Sequence, residues 1–303
     1  LIQIHPKIVN TLMLISLAVI WGSAFSFVKI AVESFSPLTL AASRITLAAA
    51  TLTAVVYLTG GGLPVRPRIW GLCLAIAVSG AALPFSLIAW SEQHISSSAA
   101  AICMALVPLA TLLIAHFITV DEKLSRWKFL GIAIGFAGVF LLFGDSGQNS
   151  GNTSTLGMLA VLLAVVSYAV SGLLSIRLRN EPRLASSAAI MISATAVIVP
   201  LALLFDHPWT LTPSRSAVAA MVVLGLFPTA LAMIMLIALV ARAGATFMAL
   251  SNYLVPVVGI LFGAVWLDEQ VTWHTGAAFL LICLGIYVTG LKSAAKSDLP
   301  ETA

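Results

Sequence analysis

The stretches DEKLSRWKFLGIAIGFAGVFLL (121–142) and DEQVTWHTGAAFLLICLGIYV (268–288) decide the fold. Each opens on an Asp-Glu pair and runs into a glycine-bearing apolar segment. They are the same unit met twice, with Asp121 and Glu122 recurring as Asp268 and Glu269, and Gly138 as Gly285. Working outward, the offset of about 145–148 residues holds along the chain. Leu17-Ala18-Val19-Ile20 recurs as Leu163-Ala164-Val165-Val166, Pro37 as Pro182, Pro67 as Pro213 and Ala99 as Ala245. A fixed-period self-similarity of this kind marks a duplicated structural unit.

What the unit is follows from composition. Of 303 residues, 60% are apolar and only 9% charged, and the mean hydropathy is +1.09. A water-soluble globule has too little interior for that much apolar surface, which excludes a soluble enzyme. A bilayer core about 30 Å thick needs roughly 20 apolar residues in helix. Segments 9–31, 37–59, 69–90, 96–119, 127–143, 156–178, 184–205, 215–238, 244–266 and 273–291 meet or approach that length. The first is expected to be a retained helix, because it lacks a clear cleavage site. The expected fold is an all-α integral membrane protein of ten transmembrane helices: a first five-helix repeat (9–143), a polar extracytoplasmic linker (144–155), a second repeat (156–291) and a cytoplasmic tail (292–303).

Charge sets the orientation. The termini and the connectors after the second, fourth, sixth and eighth spans carry twelve of the fifteen Lys and Arg residues. The positive-inside rule places that face, and both termini, in the cytoplasm. Five spans is an odd number, so the second repeat enters the membrane upside down relative to the first. Inverted repeats are typical of secondary transporters, whose two halves exchange conformations to open the site to either face.

The chain also resembles a known family. LTLAASRITLAAATL (38–52), 121–142 and NYLVPVVGILFGAVWLDEQVTWHTGAAFLLICLGIYV (252–288) are similar to the drug/metabolite transporter superfamily in its EamA-type branch. The resemblance covers about residues 9–290 and rests on the glutamate closing the fourth helix of each repeat, here Glu122 and Glu269, before a glycine-rich fifth helix. It implies an exporter of metabolites, amino acids or drugs in a bacterial inner membrane, with aromatic amino-acid exporters as the nearest subset. The family's second-helix arginine appears as Arg44, which the second half lacks.

Candidate binding residues follow from residue type and depth. A mid-helix proline frees the carbonyl four residues earlier, and inside a bilayer such groups survive where protein or a wet cavity satisfies them. Pro108 and Pro256 lie near mid-span in the fourth and ninth spans and point to the carbonyls of Met104 and Asn252; Pro84 pairs loosely with Pro228. Trp21 and Ser23, Phe85, Tyr168, and Asn252 with Tyr253 offer aromatic faces with a few polar groups, which suit a neutral or zwitterionic substrate with an apolar body. Packing is the competing account of each, and the turn Gly22-Ser23 admits either a ligand or a close helix. Arg44, inside the second span, can hold a substrate carboxylate or cap a neighbouring helix. Lys29 is expected to snorkel and pair with Glu33. Glu92 and His94, at the outer end of the third span, are expected in solvent, and the Asp-Glu pairs are expected as helix-end caps. No Asp or Glu lies near the middle of a span, which implies transport without obligatory ion coupling.

The partners implied are the lipid bilayer and a small-molecule substrate, an amino acid by preference. Cys73, Cys103 and Cys283 are far apart, and no metal, cofactor, nucleophile-elbow or zincin motif is present, so neither a cofactor nor catalysis is expected. A net charge of +4, scattered along the chain, does not suit nucleic acid. A passive channel is the remaining alternative. The sequence leaves the oligomeric state open.

Overall fold

A computed structural model describes residues 6–118, 125–145 and 155–290. Among them there are helices and connectors and no strand. We number the helices α1 (Pro6–Ala31), α2 (Pro37–Leu58), α3 (Pro67–Glu92), α4 (Ser97–Ile118), α5 (Arg126–Asp145), α6 (Thr155–Leu178), α7 (Arg183–Phe205), α8 (Arg215–Ala245), α9 (Ser251–Trp266) and α10 (Trp273–Gly290). Seven of the described helices, α1–α4 and α6–α8, are long and apolar enough to cross a membrane; α9 and α10 are shorter apolar helices. Asp121, Glu122, most of the 144–155 linker and the 292–303 tail lie outside the described residues.

The outer surface is made of the same residue types as the interior. On α6, Leu156, Leu159, Leu163 and Val166 are exposed along one face, while Met158, Val161, Ala164 and Val165 are buried on the other. On α10, Leu280, Leu284 and Tyr287 form a similar exposed stripe. A helix apolar all round belongs in lipid, where an outward leucine costs nothing. The chain is a multi-pass membrane protein.

Three pairs of helices of equal rank in the two halves, α2 with α7, α4 with α9 and α5 with α10, pack antiparallel. At the start of α2, Thr39 donates through its backbone N–H (2.8 Å) and its hydroxyl (3.1 Å) to Asp206 at the end of α7. At the start of α4, Ser97 and Ser98 donate their N–H groups to Glu269, just past the end of α9, at 2.6 and 3.0 Å. In the third pair, a Cβ on Gly131 of α5 would lie 2.4 Å from the Gly285 carbonyl of α10, and one on Gly138 would lie 2.7 Å from that of Ala278. The glycine stripes read from the sequence thus face each other within the chain and let two backbones nearly touch.

Several helices are interrupted where the sequence suggested one continuous span. In α3 a π-helical stretch, Val78–Ala82, precedes Pro84; in α8 the stretch Gly225–Leu231 contains Pro228. A π turn widens the ladder by one residue, which accommodates a proline that has no N–H to give. The 96–119 span begins at Ser97, pauses at Ala105 and Leu106, and restarts at Val107. Pro108 therefore sits in the first turn of a new helix, where its missing N–H is no loss, and the expectation that it frees Met104 from a continuous ladder is corrected. The 244–266 span starts close to where it was expected: Gly244 breaks the helix at φ 86°, residues 245–249 form a further helical turn, and α9 follows from Ser251. Only glycine reaches that conformation without strain.

Candidate functional site: a buried arginine among aromatic rings

The site is built around Arg44. α2 buries this side chain to 8% exposure, because its neighbours Ala41, Ala48 and Ile45 pack into a core of α2, α3 and α7. Its Nε donates to Thr229 Oγ1 of α8 at 2.8 Å, and its guanidinium lies 3.8 Å from the centroid of the Phe85 ring on α3. Tyr168 of α6 follows at 6.4 Å between ring centroids. Thr229 in turn donates to Leu224 O, five residues back, at 2.7 Å, so the hydroxyl that receives Arg44 is fixed by the π turn itself. The helix-capping alternative for Arg44 is not what the side chain does. Its Nε binds a hydroxyl and its face covers a ring.

Trp21 reaches the same π turn from α1, donating Nε1–H to Pro228 O at 3.1 Å. In the other half, Ser167 of α6 donates its hydroxyl to Ser79 O, inside the α3 π stretch, at 2.7 Å. Trp21 and Ser167 are equivalent positions of the duplication. Each half therefore lends a side chain from its first helix to a loosened carbonyl of the other half's third helix. These bonds answer the requirement that backbone groups at membrane depth find partners.

Of the candidates, Arg44, Phe85 and Tyr168 come together, and Trp21 reaches the π turn that carries Thr229. Ser23 turns its hydroxyl back to Ile20 O at 3.2 Å, so its donor is spent within α1. Gly22 serves packing, since a Cβ there would lie 2.5 Å from that of Val258 on α9. Met104, Pro108, Asn252, Tyr253 and Pro256 lie along α4 and α9, and among the described residues no hydrogen bond or ring contact ties them to Arg44. Met104 packs on the main core, Pro256 is buried inside α9, and Tyr253 lies near Cys283 of α10.

Two charged groups, Lys29 and Glu92, depart from expectation. Lys29 does not pair with Glu33 in the structure; its ammonium binds the carbonyls of Glu92 and Ile95 at the end of α3. Glu92 is not in solvent: it is 0% exposed, and neither carboxylate oxygen has a hydrogen-bond partner. The cause is position, because Lys29 of α1 closes on this end of α3 and the stretch packs against α6. Glu269 is a cap, as expected of its pair, but the helix it caps is α4, where it also receives the Ser98 hydroxyl at 2.6 Å. Asp268 makes the turn possible by adopting φ 52°, a left-handed conformation Asp tolerates.

Comparison with known proteins agrees with this architecture. The EamA-like transporter family matches twice, over residues 10–144 and 155–291. The chain belongs to the EamA-like transporter family. Among similar sequences, the "Uncharacterized inner membrane transporter YedA" of Escherichia coli K12 is 29% identical, covering 82% of this chain and 80% of that protein. The "Probable terminal-alkyne amino-acid exporter" of Streptantibioticus cattleyicolor is 28% identical over 84% of each chain. A crystal structure with TM-score 0.68 and 20% identity, covering 96% of this chain and 99% of its own, shares the fold.

Within this EamA-like chain, sequence reading missed Thr229, although it directly follows Pro228. A hydroxyl beside a mid-span proline is the signal, since it can bond a carbonyl of the widened turn and still accept from a neighbouring helix. Glu92 and Lys29 carried no signal, because burial at a helix end depends on which helix closes over it.

Proposed function

We propose that this protein exports small amino acids, aromatic or otherwise neutral in side chain, by alternating access across a bacterial inner membrane. The reading takes ten membrane-crossing helices in two inverted repeats, 9–143 and 156–291, joined by the extracytoplasmic linker 144–155, with both termini and the tail 292–303 cytoplasmic. The carrying observation is the state of Arg44. It is buried and opposite no ion-paired carboxylate among the described residues; its Nε is bound, its face covers Phe85, and its terminal nitrogens donate to no described residue. A guanidinium left with unspent donors at membrane depth is matched by a substrate carboxylate. Phe85, Tyr168 and Trp21 supply apolar faces for the rest of such a molecule. The antiparallel helix pairs support the inverted arrangement, and the Streptantibioticus relative supports amino-acid export.

A hydrophobic drug is the second reading, since it would stack on the same rings, but it leaves the Arg44 donors unmet. Counterflow in proteoliposomes separates the two. Labelled phenylalanine, tryptophan and tyrosine are expected to enter preloaded vesicles faster than empty ones, and Arg44→Ala is expected to abolish the difference while the protein stays folded. Uptake of aromatic amino acids no faster than in protein-free vesicles overturns the substrate assignment.

A further inference from the structure

The described structure has a cavity away from Arg44. It lies at the end of the bundle that carries the basic excess, has a volume of about 740 Å³, and is walled by the start of α3 and the end of α6. Arg66 and Arg68 enter it from the first half, Arg177 and Arg179 from the second, and Asn180 completes the polar rim. A basic excess on one face is expected of any membrane protein. Four arginines from two separate helix ends converging on one cavity is not. No hydrogen bond or ion pair to another described side chain holds any of the four. The nearest lining carboxylate, Glu181, belongs to a smaller adjoining cavity of about 370 Å³ that shares Arg66. The start of α3 adds its own partial positive charge, since Arg66 at its N-cap makes no side-chain cap.

We propose that this cavity binds the phosphate of an anionic phospholipid headgroup. Guanidinium pairs match phosphate oxygens in planar, bidentate fashion, and basic pockets between helices at the membrane surface suit lipid headgroups. The floor decides between a lipid and free phosphate. Ile69, Leu72 and Ile176 line it, and Ile176 is 57% exposed. An inorganic ion has no use for that apolar surface, and the volume is of the size that holds a whole small ligand. An acyl chain leaving the headgroup runs along it into the bilayer. The bound lipid bridges α3 of the first half and α6 of the second. It therefore braces the helix pair already joined by Ser167 and Ser79, and by the close approach of Gly80 to Ser171.

The test is native mass spectrometry of the full chain in detergent, titrated with phosphatidylglycerol, phosphatidylcholine and inorganic phosphate, so it reads binding and does not depend on transport. Phosphatidylglycerol is expected to stay bound and phosphatidylcholine to leave. The pair variants Arg66→Gln/Arg68→Gln and Arg177→Gln/Arg179→Gln are each expected to weaken phosphatidylglycerol binding at least about tenfold, with melting unchanged and with Arg242→Gln as an unaffected control. Wild-type affinity in both pair variants, or equal retention of the two lipids, overturns the site. Inorganic phosphate bound as tightly as phosphatidylglycerol overturns its assignment to a lipid.

Discussion

Arg44 on α2 and Thr229 on α8 share a hydrogen bond of 2.8 Å that crosses from one half of the duplicated chain to the other. The acceptor is held by a π turn and the donor by burial, so this bond fixes the guanidinium while its terminal nitrogens stay available. Arg44→Lys keeps the charge but removes the Nε donor and the planar face over Phe85. Counterflow is expected to fall about tenfold, the scale of one charged hydrogen bond. Thr229→Val is expected to fall similarly, and the double variant no further than Arg44→Lys alone. Additive losses would show that the two residues act independently.

Glu269 holds the start of α4 through two N–H groups and one hydroxyl. Glu269→Ala leaves those donors unmet and is expected to cost about 1–3 kcal/mol, read as a lowered melting point in detergent. Asp206→Ala, which frees Thr39, is expected to act in the same direction at α2. An unchanged melt for both would mean that these caps carry no weight.

Much of this was legible in the sequence. The repeat offset and the odd span number gave the antiparallel pairing that Asp206, Glu269 and Gly131 display. Arg44, Phe85, Tyr168 and Trp21 were named by residue type and depth, and the structure sets the first three side by side. What escaped was direction. Ser23 has the right type and depth but bonds to its own backbone, and Pro108 has the right residue but lies one turn past a break. Glu92 was misplaced because a helix end is wet or dry according to its neighbours, which no local pattern encodes.

The α5–α10 contact gives a sharp contrast between glycines. A Cβ on Gly131 would press on the Gly285 carbonyl, whereas one on Gly276 would meet nothing within 4 Å. Gly131→Ala is expected to destabilise by about 1–3 kcal/mol through overpacking. Gly276→Ala, in the first turns of α10, is expected to stabilise by up to about 1 kcal/mol through helix propensity. Thermal melts of the two variants check the sign of each.

Glu92 bears on coupling. It is buried with both oxygens unpartnered, near Lys29, Glu269 and Arg44. It lies at the end of α3, away from mid-span, and export is expected to be uncoupled, with an imposed proton gradient alone driving no accumulation in proteoliposomes. Strong accumulation that Glu92→Gln abolishes would overturn it and name the residue responsible.

The central claim is that the two halves lie head-down to one another in the membrane. Single cysteines at Gly62, between α2 and α3, and at Thr212, between α7 and α8, test it in whole cells with a membrane-impermeant maleimide, in a background lacking Cys73, Cys103 and Cys283. The account expects the cysteine at 212 to label from outside and the one at 62 only after the membrane is opened. Labelling of both from the same face would contradict it.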